Sequence, residues 1–511
     1  MKNSILFLTL LSATIFLLNF MQKQPIAISP SLGIFDNTLD IGNVKHTGSA
    51  IFNEDDQSYT LTGSGGNIWF ETDEMRFTWK AIQGDFILRA EVEFIGEGVD
   101  PHRKVGWAVR NSLDPHSEMV IGAIHGDGLI SLQYRNEYKA NVEETVSPDS
   151  SSNVIQLARV GDTFYLSTAK KGSQFTTVET TSTGINNEVF AGIYICAHNS
   201  DVIEKAVFKN VRITKPAPKD LEQYQQYLGS RLEVLDLETR TRKVLYETEH
   251  SIQAPNWSTN GDRLIYNSNG LLFNYHLEDG LITQLNTNFA RKNNNDHVLS
   301  FDGNLIGISS HNPDDNGNST IYVLPSEGSD ELKQATKSGI GASYLHGISP
   351  DNRTVIYTGI RKGQPDIYSA DIETMEETQL TNTPGLDDGS EYSSDGKYIY
   401  FNSNRTGAMQ LWKMNADGTN PTQLTFDKNY NDWFPHISPN GKWIVFVSFG
   451  TDVPSGDHPF YKQVTIRLMP VEGGEPEIIA YVYGGQGTIN VPSWSPGSRK
   501  IAFVSNTGRF F

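Results

Sequence analysis

The chain carries almost no cysteine: Cys196 is the only one in 511 residues. A single thiol forms no internal disulfide, and the setting "AGIYICAHN" is that of a packed core residue. Positive charge is also scarce. The formal net charge of −19 excludes nucleic acid as a partner, because phosphate binding needs a positive surface. Any grip on a polyanion would have to come from local Arg, Lys or a metal. Apolar runs long enough to cross a bilayer are missing beyond the N-terminus. No Gly-x-Ser-x-Gly elbow, P-loop or dinucleotide fingerprint occurs, so serine hydrolases and nucleotide enzymes find no support.

The apolar run that does exist, Ile5 to about Phe20 behind Lys2, reads as a signal peptide over residues 1–24. It is short for a span of ~20 residues; an uncleaved anchor is the other reading. Export without disulfides places the mature chain in a bacterial periplasm or secreted, with no membrane span. A hydrophobic content of 37%, with 11% aromatic residues, is enough for folded cores.

Residues 31–214 alternate with a period of two. In "GDFILRAEVEF", Phe86, Leu88, Ala90, Val92 and Phe94 share one face, with Ile87, Arg89, Glu91 and Glu93 on the other. Further such runs, cut by Gly-Asp and Lys-Lys-Gly turns, predict a β-sandwich. Residues 215–229 break the pattern as a linker, where two prolines disfavour pairing and a polar run suits a short helix.

From residue 230 to 511 a repeat takes over. Its copies include "APNWSTNGDRLIYNS", "SEYSSDGKYIYFNS" and "PHISPNGKWIVFVS", aligned on Ser258, Ser300, Ser349, Ser393, Ser438 and Ser495. Six multi-strand copies imply a six-bladed propeller. The last copy ends after two strands, and "RLEVLDLE" and "RKVLYETE" before the first copy supply the two it needs. The expected fold is therefore all-β: a jelly-roll sandwich, then a propeller closed by strands from both ends of the repeat region.

The Ser-Pro-Asp-Gly copies resemble TolB-type (PD40, WD40-like) propellers. "LARVGDTFYLSTAKKGSQF" with "AGIYICAHN" and "AVFKNVRI" resembles the concanavalin-like jelly rolls attached to carbohydrate-active proteins. TolB itself has an α/β domain where this chain has a sandwich, which weakens transfer of its Tol–Pal role. The histidines near the turns also resemble those of oligogalacturonate lyases, seven-bladed enzymes that hold manganese.

Positions two or three before each turn serine should face the central channel, and they include His297, His346, Glu391 and His436. Three imidazoles and a carboxylate in register suggest a divalent metal site for manganese, zinc or calcium; satisfied channel histidines are the structural alternative. Asp296 and Asp432 would orient the rings. "LDDGSEY" reads as an acidic turn or calcium loop. His458, in the longest inter-repeat insertion, is the candidate acid or base, and Glu391 and Arg405 are the other catalytic candidates. Arg405 would clamp a carboxylate or pair with blade acids. Trp433 would stack on a sugar or pack in the blade, and Gln410, Gln486 and Asn490 would bind substrate. The function expected is an exported carbohydrate-active protein degrading polysaccharide, through metal-assisted lyase or glycoside hydrolase chemistry on a uronate-containing glycan. The alternative is a non-enzymatic TolB-like envelope module that binds a protein or an oligosaccharide.

Overall fold

The computed structural model describes residues 31–511, and the expected signal peptide lies outside them. Among these residues no helix is long and apolar enough to cross a membrane. Two seven-stranded sheets make the N-terminal sandwich. The strand Phe86–Phe94 shows why: Phe86, Leu88, Ala90 and Val92 are buried between the sheets with Tyr59, Trp107 and Phe164. Each large side chain withdrawn from water this way stabilises by about 1.5–3 kcal/mol. Cys196 is buried beneath the other face of its sheet, and burial pushes its thiol up to about 11, so it is an inert core residue.

Residues 253–484 form five four-stranded blades. The sixth is closed as the repeat arithmetic demands. Gly229–Asp236 pairs antiparallel with Lys500–Thr507, Arg242–Thr248 adds the outer strand, and a Trp494–Ile501 bridge joins the innermost segment. Closure leaves no open edge between first and last blades. The turn serines have a role beyond spacing. The hydroxyl oxygens of Ser258, Ser300, Ser349, Ser393, Ser438 and Ser495 each accept the backbone N–H five residues on, at 2.9–3.0 Å.

Residues 32–511 form one compact unit. The outer face of Phe86–Phe94 is covered by the propeller in its first half, at Ile87 and Arg89, while Glu93 stays exposed. Ile87 packs with Phe460, Tyr461 and Tyr483, and Arg89 donates to Gln463 at 3.0 Å. Arg212 of the sandwich donates to Glu233 of blade six at 2.6 Å, and Arg242 holds the same carboxylate at 3.0 Å. The 215–229 segment is not helical but a chain of turns. It is tied to blade five by bonds from Ala217 N to the Tyr483 hydroxyl (2.8 Å) and from Leu228 N to the Tyr461 hydroxyl (2.9 Å).

Candidate functional site

The innermost strand of each of blades one to five slips register by a bulge, between Gln253 and Asn256, Asn293 and His297, Leu345 and Gly347, Asp388 and Glu391, and Trp433 and His436. A bulge re-aims side chains, and these line one mouth of the channel. Asp296, His346, Asp388 and Phe434 all border a cavity of about 760 Å³ there. Phe434 sits at φ 56°, a strained conformation for an aromatic residue.

The floor of this cavity is charged. His346 Nε2 donates to Asp388 Oδ1 at 2.9 Å, the Thr358 hydroxyl donates to the same oxygen at 2.5 Å, and His458 Nε2 lies 3.9 Å from Asp388 Oδ2. Burial alone would raise the Asp388 carboxyl, but His346, His458 and Thr358 hold it down at about 2. Burial would lower His346, yet Asp388, with Asp296 and Glu391 adding, raises it. Asp296 takes the opposite course: burial pushes its carboxyl up to about 7, against the pull of His346 and with the help of Asp388. Asp296 thus shares the cavity with an ion pair.

The walls are amides and the rim is aromatic. Asn267, Asn294, Asn295, Gln486 and Asn490 face the cavity, and the Asn490 amide donates to Gln486 Oε1 at 2.9 Å. Tyr224 and Tyr227, contributed by the 215–229 segment, lean edge-on against Phe460 at 5.4 and 5.6 Å, yet remain 53% and 40% exposed. Arg291 and Lys292 stand at the same rim.

Of the residues expected from sequence, His346, His458, Gln486 and Asn490 meet at this mouth. The others do not. His436 and Glu391 pair with each other, Nδ1 to Oε2 at 2.7 Å, while His436 Nε2 is taken by the Ile489 carbonyl at 2.8 Å. Glu391 borders a separate cavity of about 430 Å³ at the other end of the channel. His297 is fully buried; its Nε2 bonds the Ile265 carbonyl at 3.3 Å, and burial pushes it down to about 4. The four expected ligands therefore do not converge. Among the described residues, no group of three His, Cys, Asp or Glu in the propeller brings its ligand atoms within 4.8 Å. A single ion held by His297, His346, His436 and Glu391 does not fit.

Trp433 is fully buried in the core of blade five, so it packs rather than stacks on a sugar. Gln410 is spent on the Asp427 and Tyr430 carbonyls, at 3.0 and 3.2 Å. Arg405 pairs with the blade acid Asp387 at 2.9 Å and lies over Trp412 at 4.7 Å, away from the mouth. "LDDGSEY" is neither turn nor loop: Asp387–Tyr392 is the innermost strand of blade four. Asp432 is likewise a core residue, bonded to Ser448 at 2.7 Å and Arg467 at 3.2 Å. Sequence reasoning missed the aromatic rim. Its only signal was a pair of tyrosines in an otherwise polar linker.

With this geometry in place, the similarities are informative. The TolB beta propeller domain (PD40) matches residues 333–455. An uncharacterized protein of Agrobacterium fabrum is 44% identical over 278 residues, 54% of this chain and 92% of the relative. A Tol-Pal system protein TolB of Francisella tularensis is 27% identical over 262 residues, 50% of this chain and 56% of the relative, so the chain spans little more than half of that protein. A solved structure from Agrobacterium tumefaciens, described as a candidate TolB, is 43% identical, with a TM-score of 0.52 over 55% of this chain and 99% of that one. An oligogalacturonate lyase from Vibrio parahaemolyticus is far more distant: 15% identity and a TM-score of 0.34 over 50% of this chain and 74% of that one. That distance supports no transfer of activity.

Proposed function

Because the chain belongs to the TolB-like β-propeller family, we propose that it is an exported cell-envelope binding protein whose propeller mouth holds a hydroxyl-rich ligand, an oligosaccharide. The observation that carries this reading is the mouth itself. Two exposed tyrosines overhang a cavity of about 760 Å³ walled by amides. Aromatic faces take the apolar side of a sugar ring, and amides offer both donors and acceptors to its hydroxyls. Glycan-array screening followed by calorimetry on the best hit tests it. Tyr224→Ala/Tyr227→Ala and Asn490→Ala should each weaken binding at least tenfold. Absence of any saccharide ligand, or unchanged affinity in both variants, would overturn the proposal.

A catalytic reading is favoured by one specific feature, Asp296. A buried carboxyl held at about 7, within reach of the His346–Asp388 pair, is suited to general acid–base work at neutral pH. Lyase chemistry on a uronate is less well served. With Arg405 committed to Asp387, the substrate carboxylate would rely on Arg291 and Lys292 at the rim, above two floor carboxylates. Incubation with uronate polysaccharides, following the absorbance of unsaturated products, separates turnover from binding. Activity lost in Asp296→Asn but retained affinity would favour catalysis. A protein partner in the envelope, as the name of the Francisella relative suggests, would instead be found by cross-linking in the native host.

A further inference from the structure

Away from the propeller, three turns meet at one end of the sandwich. His102 precedes the strand Lys104–Arg110, His125 and Asp127 sit in the hairpin between Met119–His125 and Ile130–Arg135, and His198 follows Glu188–Cys196. The His102 ring lies 5.7 Å from that of His125 and 5.5 Å from that of His198, centroid to centroid. Ligand atoms of His102, His125 and Asp127 all fall within 4.8 Å of one another. We infer that this cluster is a zinc-type metal site, with His102, His125 and Asp127 as ligands and His198, backed by Asp100, at its edge.

Several features beyond proximity point to a ligand. His125 is only 5% exposed, yet its Nδ1 has no partner and its Nε2 meets only the Gln133 amide, at a long 3.4 Å. A buried imidazole left this open is costly unless something claims it. The backbone around it is fixed in advance: Gly126 N and Asp127 N donate to the Arg103 and Pro101 carbonyls, both at 2.9 Å, clamping the hairpin to the His102 turn. Asp127 Oδ1 is used by Leu129 N at 3.0 Å, whereas Oδ2 faces His102 Nδ1 at 3.9 Å. At the edge of the cluster, Asp100 Oδ1 lies 3.1 Å from His198 Nδ1. The buried cations beside it are committed elsewhere, Lys104 to Asn67 Oδ1 at 2.8 Å and the Ile68 carbonyl at 3.2 Å, and Arg103 to Glu204 at 2.6 Å. Metal–ligand bonds of about 2.0–2.2 Å in a tetrahedron put ligand atoms about 3.4 Å apart. The cluster must therefore contract by at most about 1.4 Å, which rotation of the exposed His102 and Asp127 side chains provides. Two imidazoles and a carboxylate leave one position open to solvent.

Calorimetric titration of zinc into the chelator-stripped full chain tests this, with circular dichroism as the folding check. One zinc per chain is expected, with affinity falling at least tenfold in His102→Ala and in Asp127→Asn. Both residues are exposed, so neither change threatens the core. His346→Ala, in the propeller, should bind zinc as the wild type does. No zinc binding, or binding unaffected in His102→Ala and Asp127→Asn, would overturn the assignment. Loss confined to His346→Ala would also overturn it, by placing the ion in the propeller.

Discussion

Asp296→Asn tests the electrostatics of the propeller mouth most directly. Burial lifts this carboxyl from 3.8 to about 7, so the native state holds its proton more tightly than the unfolded chain does. The resulting stabilisation is fully present below pH 3.8 and is lost as pH rises through about 7. A rise from 3.8 to about 7 corresponds to about 4 kcal/mol. Asparagine keeps the shape of the side chain and is neutral at every pH. The stability of the variant relative to wild type should therefore climb from about pH 4 to about pH 7, by at most about 4 kcal/mol, and then level off. Asp388 does not blur this window. Its carboxyl is held at about 2, so its stabilisation is present above 3.8 and lost only as pH falls through 2. Urea unfolding of the full chain at closely spaced pH values, run in parallel for the two proteins, measures the gap. A gap that stays flat from pH 4 to 7, or widens toward acid, would refute the assigned environment of Asp296.

Arg212→Ala should cost about 1.5–3 kcal/mol, the worth of one hydrogen bond to a buried charge, because Arg242 still holds Glu233 between sandwich and propeller; the urea midpoint reports this, and faster proteolysis between residues 215 and 229 should accompany it. Trp433→Ala should lose about 3–5 kcal/mol as a core cavity, whereas Tyr224→Ala/Tyr227→Ala should leave stability within about 0.5 kcal/mol per site while weakening saccharide binding. Deleting the strands that close the ring, residues 231–247, should aggregate the protein in size-exclusion chromatography; a monodisperse deletion variant would refute closure by Gly229–Asp236.

The fold was largely legible because it rests on local chemistry repeated many times. Alternation in "GDFILRAEVEF" identified the core face of one sandwich strand, and the six turn serines fixed blade number and closure. The fate of its outer face lies beyond alternation for a physical reason. Alternation shows that Ile87 and Arg89 share a face, but not that the propeller covers it; only tertiary contacts with Tyr483 and Gln463 decide that. The linker illustrates the same limit. A polar run permits a helix, yet the 215–229 segment gains more from anchoring on the tyrosine hydroxyls of blade five.

At the site, the difficulty is parity. His297 and His346 stand three residues before their serines, Glu391 and His436 two, and reading these as equivalent assumes an unbroken strand. Each inner strand instead carries a bulge: in blades one, three, four and five one extra residue turns the side chains beyond it to the other face, whereas blade two inserts two and keeps the parity. His346 lies within its bulge and reaches the mouth. His297 lies past its own, in register with Ile308, and is buried. His436, opposite Val445, turns to Glu391 and the Ile489 carbonyl. The three histidines that look like one motif thus serve different ends: His346 arms the cavity, while His297 and His436 tie adjacent blades together. The bulges that scatter them also bring Asp296, His346 and Phe434 to one cavity, so the departure from regular pairing is what builds the site.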